Sequence, residues 1–314
     1  MLLASSLSAQ DKAPYIDPAN DAEHFGKVEE ILFWTPDQQV AGYRNMDQLT
    51  PVRWVRAGDA VLELPERPAD LDALPVLHEG GNMTLAEYLE QQSVAGLLVI
   101  KAGAIVYERY RLGNDRDSRW ISYSVTKSVV SMLVGAAIRD GYIASVDEKV
   151  TDYLPRLKGS AYEQASIRDI LQMASGVAWD ETYDDPESDL NQTSWNTLAL
   201  YDYLDDKPRN GAPGEIFNYN TAETNLVGNV LRAAIGNNLA TYLEEKIWRP
   251  FGMGTDAAWN LTEPGGGEFG GCCINATLRD YGRLGLFALN IGRLADGTPV
   301  LTRDWMKEST TPSK

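Results

Sequence analysis

The chain has 314 residues, 44% hydrophobic and 23% charged, the composition of a globular protein with room for about two domains. Its formal charge is 28 − 45 = −17, and a surface that acidic repels phosphate backbones, which sets nucleic acid aside as a partner. No stretch approaches the ~20 consecutive apolar residues that a membrane-crossing helix needs, so no membrane span is expected.

The first ten residues, MLLASSLSAQ, are apolar and small in the manner of the late part of a secretory leader. Residues 1–20 are expected to be a leader remnant or a tail. A leader would make the mature protein periplasmic or secreted, with the cytoplasm as the alternative. From 12 to 50 the chain is polar with scattered aromatics and reads as an irregular extension. PVRWVRAGDAVLELPER (51–67) alternates like a strand or hairpin, and TLAEYLEQQ (84–92) has helical spacing. Gly96–Lys101 and Ala104–Arg111 are β-rich and flank Ala102-Gly103, which predicts a hairpin with a tight turn.

SYSVTKSVVSMLVGAAIRDGYI (122–143) comes next. The spacing predicts a helix that starts near Ser122–Ser124 and stops at Asp140-Gly141. Its apolar residues cover nearly every face, the pattern of a buried helix. Between about 150 and 260 the candidates are helical: IRDILQMASG, WNTLALYDYLDD, TNLVGNVLRAAIG and LATYLEEKIWRPFG. EPGGGEFGG (263–271) reads as a loop, CCINA as a short strand and TLRDYGRLGLFALNIG as a further helix. The adjacent Cys272 and Cys273 are not expected to bridge and are too few for a zinc site. They read as small buried residues in a strand. The layout predicts an α+β fold, an antiparallel sheet with packed helices plus an all-helical inserted domain. The expected parts are a first body segment with its N-terminal extension over 21–149, a helical domain over 150–266, and a return to the body over 267–314.

Ser124-Val125-Thr126-Lys127 places a serine and a lysine on one helix face, one turn apart. The helix N-terminus adds partial positive charge and unsatisfied N–H groups. The Ser124 N–H can then donate to an oxyanion. Burial favours the neutral amine of Lys127, which can take a proton from the serine. Such a pair needs no histidine, and both histidines, His24 and His78, lie far upstream. The structural alternative is a capping serine and a surface lysine.

The ordered set of SYSVTKSVVSMLVGAAIRDGYI, VDEKVTDYLP, ASIRDILQMASGV, PGEIFNYNTAETNLVGNVL, IWRPFGM and FGGCCINATLRDYGRLGLF resembles the serine β-lactamase-like hydrolases. These include class C β-lactamases, DD-peptidases, family VIII carboxylesterases and 6-aminohexanoate-dimer hydrolases. The likeness covers most of 95–292. It implies a β-lactamase/transpeptidase-like fold and an acyl-enzyme on Ser124, formed from a small-molecule amide or ester. It also implies that Tyr219, opening Tyr219-Asn220-Thr221, relays the proton, since a phenol beside an ammonium becomes a usable base. The family often has asparagine where Thr221 stands, which weakens the case for a β-lactam substrate. Tyr43-Arg44-Asn45 has the same spacing but lies outside the likeness and is read as coincidence.

AWDETYDDPESDL (178–190) resembles the nylon-oligomer hydrolase branch. There Tyr183 could donate to a scissile amide, and a carboxylate such as Asp184 could hold a cationic substrate end. Thr221 and Gly271 complete the expected substrate contacts. The family's later Lys/His-Thr/Ser-Gly motif has no match from 278 to 314, so the chain is expected to be truncated. The chemistry calls for no metal or organic cofactor, and the oligomeric state is left open. Gly265–Gly270 formally fits G-x-G-x-x-G but lacks the strand–turn–helix context of a nucleotide site. Gly-x-Ser-x-Gly with a later histidine is missing, which argues against a Ser-His-Asp hydrolase. The rival from another class is a non-catalytic acyl sensor or a degenerate binding module on the same fold.

Overall fold

In the computed structural model, residues 12–312 are described; the leader-like stretch 1–10 lies outside them. The chain divides into two units, one drawn from Met1–Asn45 and Leu64–Ser118, the other from Met46–Glu63 and Arg119–Lys314. Strands form at Val52–Val55 (β1), Pro75–His78 (β2), Gly81–Thr84 (β3), Gly96–Lys101 (β4), Ala104–Tyr110 (β5), Arg119–Ile121 (β6), Ala257–Asn260 (β7) and Ile274–Thr277 (β8). The three longest helices among the described residues are Val125–Asp140 (α1), Thr221–Ile235 (α2) and Leu278–Leu289 (α3). No helix among the described residues is long and apolar enough to cross a membrane.

In the first unit, β4 and β5 form the predicted hairpin. Ala102 (φ 50°) and Gly103 (φ 76°) both take the left-handed backbone that a two-residue turn of this hand requires. The polar run after residue 12 is more ordered than its composition suggests. It holds helical turns at Pro18–His24, Val28–Phe33 and Pro36–Tyr43. Proline at the first turn and the Thr35/Gln38 capping box supply local start signals that the lack of an apolar stripe had hidden. Arg44, in the coincidental Tyr-x-Asn match, is buried. It pairs with Asp21 and donates to the carbonyls of Ile16 (2.9 Å) and Leu112 (2.8 Å).

The second unit carries a four-stranded antiparallel sheet in the order β1-β7-β8-β6. Every named element from Val125 to Phe251 is helical. α1 ends as expected at Gly141, whose φ of 82° no residue with a Cβ adopts cheaply. Its Val129, Val130, Leu133, Val134, Ala136 and Ala137 are buried, as are Leu226, Val227, Val230 and Leu231 of α2, which packs on it. Each large apolar side chain so buried contributes about 1.5–3 kcal/mol. β6 hands the chain straight to α1. Ser122 N–H donates to Ile274 O (2.8 Å), and Ile274 N–H donates to Ser122 Oγ (2.9 Å) and Thr126 Oγ1 (3.0 Å). The start of α1 is thereby fixed to β8. Cys272 and Cys273 lie just ahead of β8, outside the strand. Their sulfurs sit side by side across a cis peptide bond, where the sequence reading left them unbridged.

The glycine-rich loop 263–271 joins β7 to β8 and is organised around Glu268, which is 1% exposed. Its carboxylate accepts from Arg53 Nη1 of β1 (2.6 Å), Arg232 Nη1 of α2 (2.7 Å) and the N–H of Ala240 (3.1 Å). Burial alone would raise the Glu268 pKa, but the Arg53 guanidinium and the N–H donors outweigh it and hold the carboxyl below the ordinary glutamate value. The group therefore stabilises the fold above the unfolded glutamate pKa of ~4.3, and loses that contribution as pH falls through its lower folded value. Glu268→Gln is expected to destabilise by about 2–3 kcal/mol, toward the low side of a broken buried pair because both arginines keep some solvent contact. Urea unfolding at pH 7 measures it, and the gap between the two proteins should narrow only as pH falls below about 4.

Candidate active site

The left-handed backbone of Tyr123 (φ 45°) turns the chain from β6 into α1. Ser124 stands at the N-cap position of α1 (φ −66°, ψ −5°). Its hydroxyl caps no helix N–H, so the capping role open to a serine here is not taken. Instead it accepts from Lys127 Nζ at 3.0 Å, the contact that a spacing of three on one helix face allows. Lys127 is half-buried, unlike a lysine that trails into solvent.

The other partners of Lys127 come from α2 and from the segment ahead of β8. Asn220 caps α2 by accepting from Glu223 N–H (3.1 Å), which sets Thr221 as the first helical residue. Gly270 and Gly271 lie against this first turn. A Cβ on Gly271 would fall 2.6 Å from Thr221 Cγ2 and 2.7 Å from Thr221 O, and one on Gly270 would fall 2.7 Å from Thr224 O. Gly270 N–H donates to Asn225 Oδ1 (2.8 Å) and holds the approach. Only glycine permits it. The outcome is that Lys127 Nζ also donates to Gly271 O (2.7 Å) and Thr221 Oγ1 (3.1 Å). Thr221 and Gly271, expected to touch substrate, are placed on the lysine.

Burial lowers the Lys127 pKa from 10.5 to about 8, against the Glu181 carboxylate, which pulls the other way. At pH 8 this yields on the order of a hundredfold more free amine than an ordinary lysine offers. The Tyr219 ring lies over Lys127 Nζ at 5.3 Å from its centroid. No hydrogen bond joins the Tyr219 hydroxyl to Ser124 or Lys127 among the described residues. Tyr183 is the next phenol outward. Burial, Glu181 and Tyr219 together push it up to about 12, so it stays protonated at neutral pH. Asp184 is exposed and has no hydrogen bond or ion pair to Ser124, Lys127 or Tyr219 among the described residues.

Sequence reasoning missed the role of Glu181, which reads as one acid in a run of six. Its carboxylate accepts from Thr221 N–H (2.9 Å), Thr221 Oγ1 and Trp179 Nε1, and its Oε1 lies 3.4 Å from Tyr183 Oη. The available signal was Thr221 itself, a hydroxyl where an amide is common and in need of a partner of its own.

Residues 82–314 match the beta-lactamase family. The chain is 29% identical over 308 residues to the 6-aminohexanoate-dimer hydrolase of Paenarthrobacter ureafaciens, spanning 94% of this chain and 72% of that protein. Among solved structures it is similar to one from Bacillus anthracis, provisionally assigned as a 6-aminohexanoate-dimer hydrolase, with TM-score 0.77 and 23% identity over 86% of this chain and 74% of that one. It is also similar to a class C beta-lactamase, with TM-score 0.52 and 17% identity over 72% and 66% of the two chains. At these identities the structural likenesses establish the fold, which is the α+β, beta-lactamase-like one the sequence predicts.

Gly271→Ala tests the close approach. The added methyl must push the segment off α2, which is expected to destabilise by about 1–3 kcal/mol in urea unfolding. It should also cut hydrolytic turnover on the order of a hundredfold, because the Gly271 carbonyl leaves Lys127.

Proposed function

The chain belongs to the beta-lactamase family of serine hydrolases, and from that premise we propose that it cleaves a small amide or ester through an acyl-enzyme on Ser124. Lys127 is the general base and Tyr219 the proton relay. The substrate class is that of the 6-aminohexanoate-oligomer hydrolases and carboxylesterases. The carrying observation is the 3.0 Å contact between Lys127 Nζ and a serine hydroxyl with no capping duty, at a lysine whose pKa is about 8.

In this reading Ser124 Oγ gives its proton to Lys127 Nζ as it bonds to the scissile carbonyl carbon. The Ser124 N–H at the helix start donates to the oxygen that gains the charge. Collapse breaks the bond to the leaving nitrogen or oxygen, which takes a proton by way of Tyr219. Water then attacks the ester on Ser124, and the proton path runs in reverse. Tyr183, protonated at neutral pH, donates to the scissile amide. Asp184, exposed on the same loop, is the carboxylate offered to a cationic far end of the substrate. A periplasmic or secreted setting belongs to the same proposal and rests on the leader-like first ten residues.

Ser124→Ala is expected to abolish hydrolysis of a short-chain chromogenic ester, and Lys127→Ala to cost several orders of magnitude. Near-normal rates in both variants would overturn the assignment, and a single burst with a stable adduct would identify an acyl sensor. The pH profile carries its own sign. The base must be neutral, and Lys127 is neutral above its pKa, so kcat/KM should rise through an acid limb near pH 8 and fall tenfold per unit below it.

A further inference from the structure

We infer that Glu181 is a positioning residue which, through the hydroxyl of Thr221, turns the lone pair of Lys127 toward Ser124; this rests on the assignment of Ser124 and Lys127 as nucleophile and base. The donors and acceptors carry it. A carboxylate only accepts hydrogen bonds, and a threonine hydroxyl has one proton to give. Glu181 Oε2 is pinned by Thr221 N–H (2.9 Å) and Trp179 Nε1, and its Oε1 faces Thr221 Oγ1, with Tyr183 Oη at a longer 3.4 Å. The single proton of that hydroxyl therefore points at Glu181. What Thr221 Oγ1 shows to Lys127, 3.1 Å away, is a lone pair.

Lys127 thus meets two groups that can only accept, Thr221 Oγ1 and the Gly271 carbonyl at 2.7 Å. A neutral amine has two N–H bonds and one lone pair. The two N–H bonds go to those acceptors, and the lone pair is left for the third direction, Ser124 Oγ at 3.0 Å. With a freely turning Thr221 hydroxyl, the amine could spend its lone pair on the Thr221 proton. An asparagine at this position offers an amide carbonyl as acceptor; here the pairing of Thr221 with Glu181 supplies the acceptor by two residues. The groups that face Lys127 are Ser124 from its own helix, Thr221 and the Tyr219 ring at the start of α2, the Gly271 carbonyl, and Glu181 with Tyr183 beside it. Glu181 is the one whose charge acts on the lysine, and it favours the protonated form.

The test is a titration of the full chain labelled with [13Cε]lysine, the Lys127 signal being assigned by its loss in Lys127→Arg, together with kcat/KM against pH on a short-chain ester. Glu181→Gln removes the charge that favours the ammonium, so the Lys127 midpoint should move down by about one pH unit, and the acid limb of kcat/KM with it. Its plateau should fall at least tenfold because the Thr221 hydroxyl is no longer aimed. Thr221→Val, which keeps the shape and removes the acceptor, should lose at least tenfold, and Thr221→Ser, which returns the hydroxyl, should recover most of that loss. A Glu181→Gln protein whose midpoint and limb stay in place, or a Thr221→Val protein with wild-type turnover, overturns the inference. The lysine titration is read without turnover. A wild-type chain that hydrolyses no ester but whose Lys127 midpoint still moves in Glu181→Gln keeps Glu181 in its place and overturns the hydrolase reading alone.

Discussion

A primary amine kept partly out of water is the constraint around which the site is built. Two forces act on Lys127 in opposite directions. Burial disfavours its charge, and the Glu181 carboxylate favours it. Burial wins, which leaves the amine near pKa 8, where the free base is abundant close to neutrality. Had the carboxylate won, the lysine would be an ion pair and nothing more. The three hydrogen bonds around Nζ, to Ser124, Thr221 and Gly271, give the buried nitrogen a partner in each direction, so no polar group is left unsatisfied there.

The rest of the second unit can be understood as what brings those three partners together. Ser124 comes with α1, whose start is bonded to Ile274 of β8. The Gly271 carbonyl comes from the segment that leads into the same strand. Thr221 comes with α2, which packs on α1 and receives the glycines against its first turn. One strand therefore references both Ser124 and an acceptor of Lys127. The Glu268 carboxylate ties β1, α2 and the loop before Gly270, and so braces the approach from behind.

How much of this could be read in the sequence depends on the range of each interaction. Ser-x-x-Lys was legible because its partners are three residues apart on one helix. The helix itself was legible from its apolar faces and its glycine stop. The Ala102-Gly103 turn was legible for the same local reason. Thr221, Tyr219 and Gly271 could be nominated through family resemblance, but their attachment to Lys127 spans 94 and 144 residues for the two hydrogen-bonded ones, and no local pattern encodes it. Glu181 was hidden among acids that spacing cannot tell apart. In the folded chain it differs from Asp184 by its four donors, one of them the indole of Trp179 two residues earlier. The helical turns of 12–45 were missed because proline and capping residues, with no apolar stripe, define them.

Ser124 and Lys127 sit one turn apart at the start of a single helix, whereas the burial that lowers the lysine pKa comes with segments from distant parts of the chain. Proximity and reactivity are thus separately encoded. A nascent or partly opened chain can hold the serine and lysine side by side while water returns the amine to its ordinary basicity and silences it. Under the proposed chemistry the fold is in this sense its own safety catch, since the alcohol is armed only once the distant segments have closed around its neighbour.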